Sequence, residues 1–180
     1  SMTCSSGLHS VIEAARRIRS GEINKALAGG VETPLTKFTY AQFDALKLLS
    51  KSPLPFPCKP LLSKASNELV LAEGGALFAL SNEKSPLQLL GYGEACSKPK
   101  HNLAFASSAL KEAMVKALKM AGLTTVDAVL MHAPGTIQGD AEEMKAVHEI
   151  LGNEARVIPT KWMTGHTLGA SGPVSMVLAM

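Results

Sequence analysis

Cys4, His132 and His166 are the residues whose types and settings allow chemistry. Cys4 opens "TCSSGLHSVIEAARRIRSG", one step before a stretch in which Leu8, Val11, Ile12, Ala15 and Ile18 recur at helical spacing and Gly21 supplies a stop. A thiol at a helix start faces unpaired backbone N–H groups and the positive end of the helix dipole. Both favour the thiolate, which is the nucleophile. Small Ser5, Ser6 and Gly7 leave the sulfur approachable. The alternative is a small buried residue, which free cysteine usually is. His132 ends an apolar strand pattern in "MHAPGTIQGDAEE", ahead of a Gly-containing turn and a helix. Lys161 and His166 bracket a turn in "PTKWMTGHTLGASG", again between a strand and a Gly/Ala-rich helix. Catalysts in open α/β sheets sit beyond the carboxyl ends of strands. Two histidines placed there can share a pocket with a cysteine at a helix N-terminus. Singly, each histidine reads as a hydrogen-bonded structural residue, and His9, His101 and His148 read as surface or structural.

The elements that must position these groups follow from pattern. "KALAGGVE" reads as a short buried strand, and residues 33–66, broken by Pro34, Pro53, Pro55, Pro57 and Pro60, as irregular chain. "ELVLAEGGALFALS" reads as a strand pair or a bent strand, with Gly74 and Gly75 where backbone passes closely. "NEKSP" (82–86) is the best internal boundary. Beyond it, "LQLLGYGEAC" reads as a strand and "SSALKEAMVKALKMAG" as an amphipathic helix with Ser107 or Ser108 as N-cap. "DAVLMHAP" reads as a strand, "DAEEMKAVHEILG" as a helix, "RVIPTK" as a strand and "GASGPVSMVLAM" as the start of a helix. Alternating strands and helices argue for parallel α/β layers. Ser1-Met2 resembles a tag-cleavage scar, and both ends look cut, so a piece of a larger protein is expected.

Composition narrows the function classes. The 180 residues are 46% apolar and 18% charged with a net charge of +3, as in a soluble globular protein. The densest basic run, Arg16, Arg17 and Arg19, reads as a solvated helix end, with a docking patch for an acidic partner as the weaker reading. With 4% aromatics and no basic stripe, no nucleic-acid partner is expected. Cys4, Cys58 and Cys96 form neither a disulfide framework nor a metal motif, so no metal is expected and a reducing cytoplasm fits. No apolar run spans a membrane. "GYGEA" and "AGGVE" are too short for a dinucleotide fingerprint.

At this point the sequence resembles the β-ketoacyl synthases, thiolase-fold condensing enzymes. "TCSSGLHSVIEAARRIRSGEINKALAGGVE" resembles their nucleophile loop, buried helix and Ala-Gly-Gly strand. "CKPLLSKASNELVLAEGGALFAL" resembles Cys-Arg-Pro-Phe-Asp … Gly-Glu-Gly-Ala, and "HAPGTIQGDAEE" resembles His-Gly-Thr-Gly-Thr … Gly-Asp … Glu. "TKWMTGHTLGASGP" resembles Thr-Lys-Ser-x-x-Gly-His-x-x-Gly-Ala-Ala-Gly. The resemblance implies an α/β, thiolase-like layered αβαβα architecture, incomplete in this chain. Residues 1–82 would end the N-terminal half, and residues 83–180 would form most of the C-terminal half.

It also implies roles. Cys4 would carry the acyl group from a thioester. His132 and His166 would assist loss of CO₂ from a malonyl thioester and hydrogen-bond the enolate. Lys161 would act electrostatically, ion-paired with Glu143; Glu143 and Asp140 would be supporting residues. Thr136 would bind the carrier's pantetheine arm. The Cys-His-His set resembles elongating synthases. No cofactor is implied beyond the phosphopantetheine on the substrate. The implied partners are an acyl carrier protein and, in the full-length protein, a second identical subunit. Ala133 and Pro134 depart from the first Gly-Thr after His132, Leu61-Leu62 from Phe-Asp and Ala72 from the first Gly of Gly-Glu-Gly; these leave room for a specialised polyketide or pigment synthase. The chain by itself is expected to have little or no condensing activity. Competing readings are a non-catalytic chain-length or assembly partner, against which Cys4 argues; a thiolase; and an unrelated cysteine hydrolase, for which no orienting Asn or Asp stands out.

Overall fold

The computed structural model describes residues 3–62, 65–96 and 107–180; Ser1, Met2 and His101 lie outside them. A 3₁₀ turn, Thr3–Ser5, runs into α1 (Ser6–Arg19), which buries Gly7, Val11, Ala14 and Ile18. β1 (Lys25–Glu32) pairs antiparallel with β2 (Gly74–Ser81). α2 (Lys37–Ala45) lies between them in sequence. α3 (Ser107–Ala121), β3 (Val129–Met131), α4 (Ile137–Leu151) and β4 (Val157–Pro159) follow, with β3 and β4 parallel. A single turn, α5 (Lys161–Thr164), and a 3₁₀ turn, Leu168–Ala170, lead into α6 (Ser171–Leu178).

These elements stack in layers. Met131, Ala133 and Val147 form a core with Met114, Val129, Met144 and Val157, so α3 and α4 cover β3–β4. Val11, Ala14 and Ala28 form a second core with Ala26, Phe78, Leu80 and Met176, so α1 and α6 cover one face of β1–β2. Thr160 Oγ1 lies 3.3 Å from Ser175 Oγ and links the end of β4 to α6. The order is therefore helices, strands, helices, strands. The fifth surface, the outer face of β1–β2, is open: Leu27, Val31 and Leu77 are 70%, 66% and 55% exposed.

Four sequence expectations change. β1 is buried on one face only, because alternate residues of a strand point to opposite sides. Residues 33–66 contain the helix α2, which Thr36 caps by accepting the Thr39 N–H at 3.1 Å. α4 begins at Ile137, before the acidic residues expected to open it. Among the described residues, 87–96 form no strand, since no ladder partner lies beside them. Instead their backbone presses on α3: a Cβ on Gly93 would meet Ala113 O at 1.9 Å, and one on Gly91 would meet Ala117 O at 2.3 Å. Glu94 fastens this segment to α1, contacting His9 and accepting from Arg16 at 2.8 Å. Arg16 and Arg17 also pair with Glu13, so much of the basic run is engaged within the chain.

Candidate active site

The site forms where the amino end of α1 meets the turn between α5 and α6. Close backbone approach makes this possible. A Cβ on Gly7 would stand 2.4 Å from Gly169 O, and one on Gly30 3.2 Å from the same atom. Glu32, at the end of β1, accepts the Gly169 N–H at 3.1 Å. The main chain at His166 is itself pinned: its N–H donates to Val70 O at 2.7 Å and its carbonyl accepts from Ala72 at 3.1 Å.

Within this frame Cys4, His132 and His166 converge. One ligand-type atom from each lies within 4.8 Å of the others. The two imidazoles meet edge to face, with ring centroids 5.0 Å apart and planes at 86°. Cys4 is half-buried at the α1 amino end, and His166 is fully buried.

The proton on His166 is placed by its neighbours. Its Nδ1 accepts the Leu168 backbone N–H at 2.9 Å. An amide can only donate, so Nδ1 carries a lone pair and the neutral ring carries its hydrogen on Nε2. Burial, then the nearby Lys161 charge, push the His166 pKa down to about 3. His132 is likewise held well below its ordinary value, by burial first, then by Lys161 and His166. Both rings are therefore neutral near pH 7. A metal ion shared by these three side chains would need the His166 lone pair that Leu168 already occupies, or Nε2 stripped of its proton. The arrangement suits hydrogen-bond donation to an anion instead.

These shifts have a consequence for stability. Between pH 6.5 and 3 an unfolded His166 binds a proton that the folded one refuses, so stability falls as pH falls through that window. The expected slope from this residue is about 1.4 kcal/mol per pH unit. Urea midpoints at pH 7 and pH 4.5 will diverge less for His166→Gln than for the wild type.

Lys161 is 2% exposed. It is thus no ordinary surface charge. Burial lowers its pKa and Glu143 opposes that shift. Glu143 acts on it through space; in place of the expected direct ion pair, its two oxygens accept the backbone N–H groups of His132 and Ala133, each at 2.6 Å. Burial raises the Glu143 pKa, and these two bonds pull against it. Asp140 accepts from Gly135 at 3.1 Å and Thr136 at 3.2 Å through one oxygen and from Leu61 at 2.9 Å through the other. It therefore caps the start of α4 and ties it to the Leu61 segment. Thr136 is buried, and its hydroxyl has no hydrogen-bond partner among the described residues. Sequence reasoning missed Glu32, Thr167 and Ser171. The only local signals were a carboxylate closing an apolar strand and a hydroxyl pair flanking a Gly/Ala turn.

The family descriptions "Beta-ketoacyl synthase, N-terminal domain" and "Beta-ketoacyl synthase, C-terminal domain" match residues 2–85 and 88–180. The chain belongs to the β-ketoacyl synthase family. It is 31% identical over 198 residues to 3-oxoacyl-acyl-carrier-protein synthase 2 of Vibrio harveyi, covering 100% of this chain and 47% of that one. It is 29% identical to the protein of the same name from Staphylococcus aureus, over 98% of this chain and 47% of the relative. A solved complex of a type II polyketide acyl-carrier protein with its ketosynthase bound to the hexaketide superimposes with a TM-score of 0.88 at 28% identity, over 99% of this chain and 48% of that one. These relatives are thiolase-fold acyltransferases of fatty-acid and polyketide synthesis, and this chain's layers repeat their architecture in part. The chain spans about half the length of the curated relatives it matches. Among the described residues, no helix is long and apolar enough to cross a membrane.

Proposed function

We propose that the protein bearing this β-ketoacyl synthase chain extends an acyl chain by decarboxylative Claisen condensation. The observation that carries this reading is the convergence of Cys4, His132 and His166. The Cys4 thiolate attacks an acyl thioester of a carrier protein; a new thioester forms on Sγ and the carrier leaves as its thiolate, which takes a proton from solvent. Malonyl-carrier protein then loses CO₂, and the electrons of the broken C–C bond pass into an enolate. The His166 Nε2–H and His132 hydrogen-bond the enolate oxygen where charge develops. The carbanion attacks the acyl carbonyl, whose oxygen is met in part by the Cys4 backbone N–H. Collapse returns the Cys4 thiolate and releases a β-ketoacyl thioester.

The other roles follow from their settings. Lys161 supplies a buried positive field, Glu143 holds the His132 loop and Asp140 holds the turn beside it. The Thr136 hydroxyl, which has no partner among the described residues, receives the pantetheine arm, with Pro134 offering neither hydroxyl nor N–H beside it. In this reading the phosphopantetheine belongs to the acyl carrier protein, no resident cofactor or metal is used, and the protein works as a homodimer in the cytoplasm without nucleic acid or membrane. Cys4 stands against a purely non-catalytic chain-length partner, which has no use for a nucleophile.

The test is an intact mass after incubation of the natural polypeptide carrying this chain with an acyl thioester. A mass gain of one acyl group is expected, absent in Cys4→Ala. An equal adduct on the variant removes Cys4 from its role.

A further inference from the structure

Beside the His166 ring lie two hydroxyls that the reaction above does not use. Ser171 Oγ is 3.2 Å from His166 Nδ1, and Thr167 Oγ1 is 3.3 Å from Ser171 Oγ. Both residues are 3% exposed, so water does not compete for these bonds. The distances alone leave the direction of the chain open. The Leu168 amide closes it: because Nδ1 already accepts at 2.9 Å, it holds no proton to give. Ser171 is therefore the donor in its contact with Nδ1, sharing the one lone pair with the Leu168 amide, and its oxygen is free to accept from Thr167.

We propose that Thr167 and Ser171 form a one-way hydroxyl relay that feeds a second hydrogen bond into His166 Nδ1 and thereby strengthens Nε2–H as a donor. Two donors on Nδ1 draw electron density from the ring, so the Nε2 hydrogen becomes more positive and binds a developing anion more firmly. Ser171 is a positioning residue, since it acts on the enolate only through His166. The motif that this stretch resembles has alanine at the place of Ser171. The catalytic part of the inference rests on the condensation reading.

The test uses the natural polypeptide carrying this chain and three readouts. In Ser171→Ala, CO₂ release from a malonyl thioester should fall about three- to tenfold, the effect of one lost hydrogen bond. Acylation of Cys4, read by intact mass, should stay within about twofold. The ¹⁵N resonance of His166 Nδ1, the unprotonated nitrogen, should move downfield in Ser171→Ala and by less in Thr167→Val, while Thr167→Ser restores it. A purely structural role for these hydroxyls would not order the three resonances in this way. An unmoved ¹⁵N resonance in Ser171→Ala, or in Thr167→Val should the serine variant not fold, overturns the relay. Because that resonance is read without turnover, it answers even if no acyl adduct forms on Cys4, the outcome that would instead sink the condensation reading.

Discussion

His166→Ala will lower CO₂ release from a malonyl thioester by about two to three orders of magnitude, the usual cost of removing one donor aimed at a developing oxyanion. The effect is large because the ring is dry and its proton is already in place. His166 is 2% exposed, Nδ1 is bound by Leu168, and nothing needs to reorganise at the moment of reaction. The substitution should not dismantle the loop. The main chain at this position is pinned by Val70 and Ala72, so the loss of the imidazole removes one of its holds, the acceptor of the Leu168 amide, and leaves the other two. In the proposed mechanism, transfer of an acyl group to Cys4 should survive, because the new bond forms on Cys4 Sγ and not on His166. Decarboxylation within about threefold of wild type would deny His166 its place at the enolate.

The second large effect is predicted at a glycine with no chemistry of its own. In Gly7→Val, the new Cβ starts 2.4 Å from Gly169 O and 2.7 Å from Pro173 Cγ. Neither neighbour is the far end of a flexible side chain, so the clash must be relieved by moving α1 away from the Leu168–Ala170 turn. That turn follows His166 and α1 follows Cys4; separating them opens the site along its working distance. Overpacking of this kind costs about 1–3 kcal/mol, roughly 3–10 °C in melting temperature for a chain of this size. A displacement near 1 Å between reacting groups costs about a hundredfold in rate. Condensation should therefore fall far more than stability does. Ser6→Ala, one residue earlier and exposed, should change neither. Full activity in Gly7→Val would mean that the close packing is incidental to the site.

Much of the layered plan was legible because local patterns and packing agreed. The helical spacing from Leu8 to Ile18 gave α1, and the apolar run ending at His132 gave β3. The residues drawn together at the site were named from motif and setting, yet their convergence was not local information. Cys4 and His166 meet through the backbone contacts of Gly7, Gly30 and Gly169, and a glycine in sequence does not say what it touches. α2 was hidden because five prolines nearby masked a short helix with no buried face, held by its Thr36 cap. Residues 87–96 misled in the opposite way. Their composition is that of a strand, but a strand requires a neighbour to complete its hydrogen bonds, and among the described residues α3 and α1 stand there instead. Glu143 was read as the partner of a charge, whereas its oxygens serve backbone amides, which no side-chain pattern reveals.

The tautomer of His166 has an unusual genetic standing. Its primary determinant is a main-chain amide at Leu168, and nineteen of the twenty encoded amino acids offer the same N–H. Alanine scanning across this loop would pass over the determinant without registering it. Proline alone deletes that hydrogen, and proline is also barred by shape, since Leu168 sits at φ +44° where the pyrrolidine ring demands a value near −65°. Evolution can thus retune the ring through Ser171 and Thr167 while drift at position 168 leaves its protonation untouched.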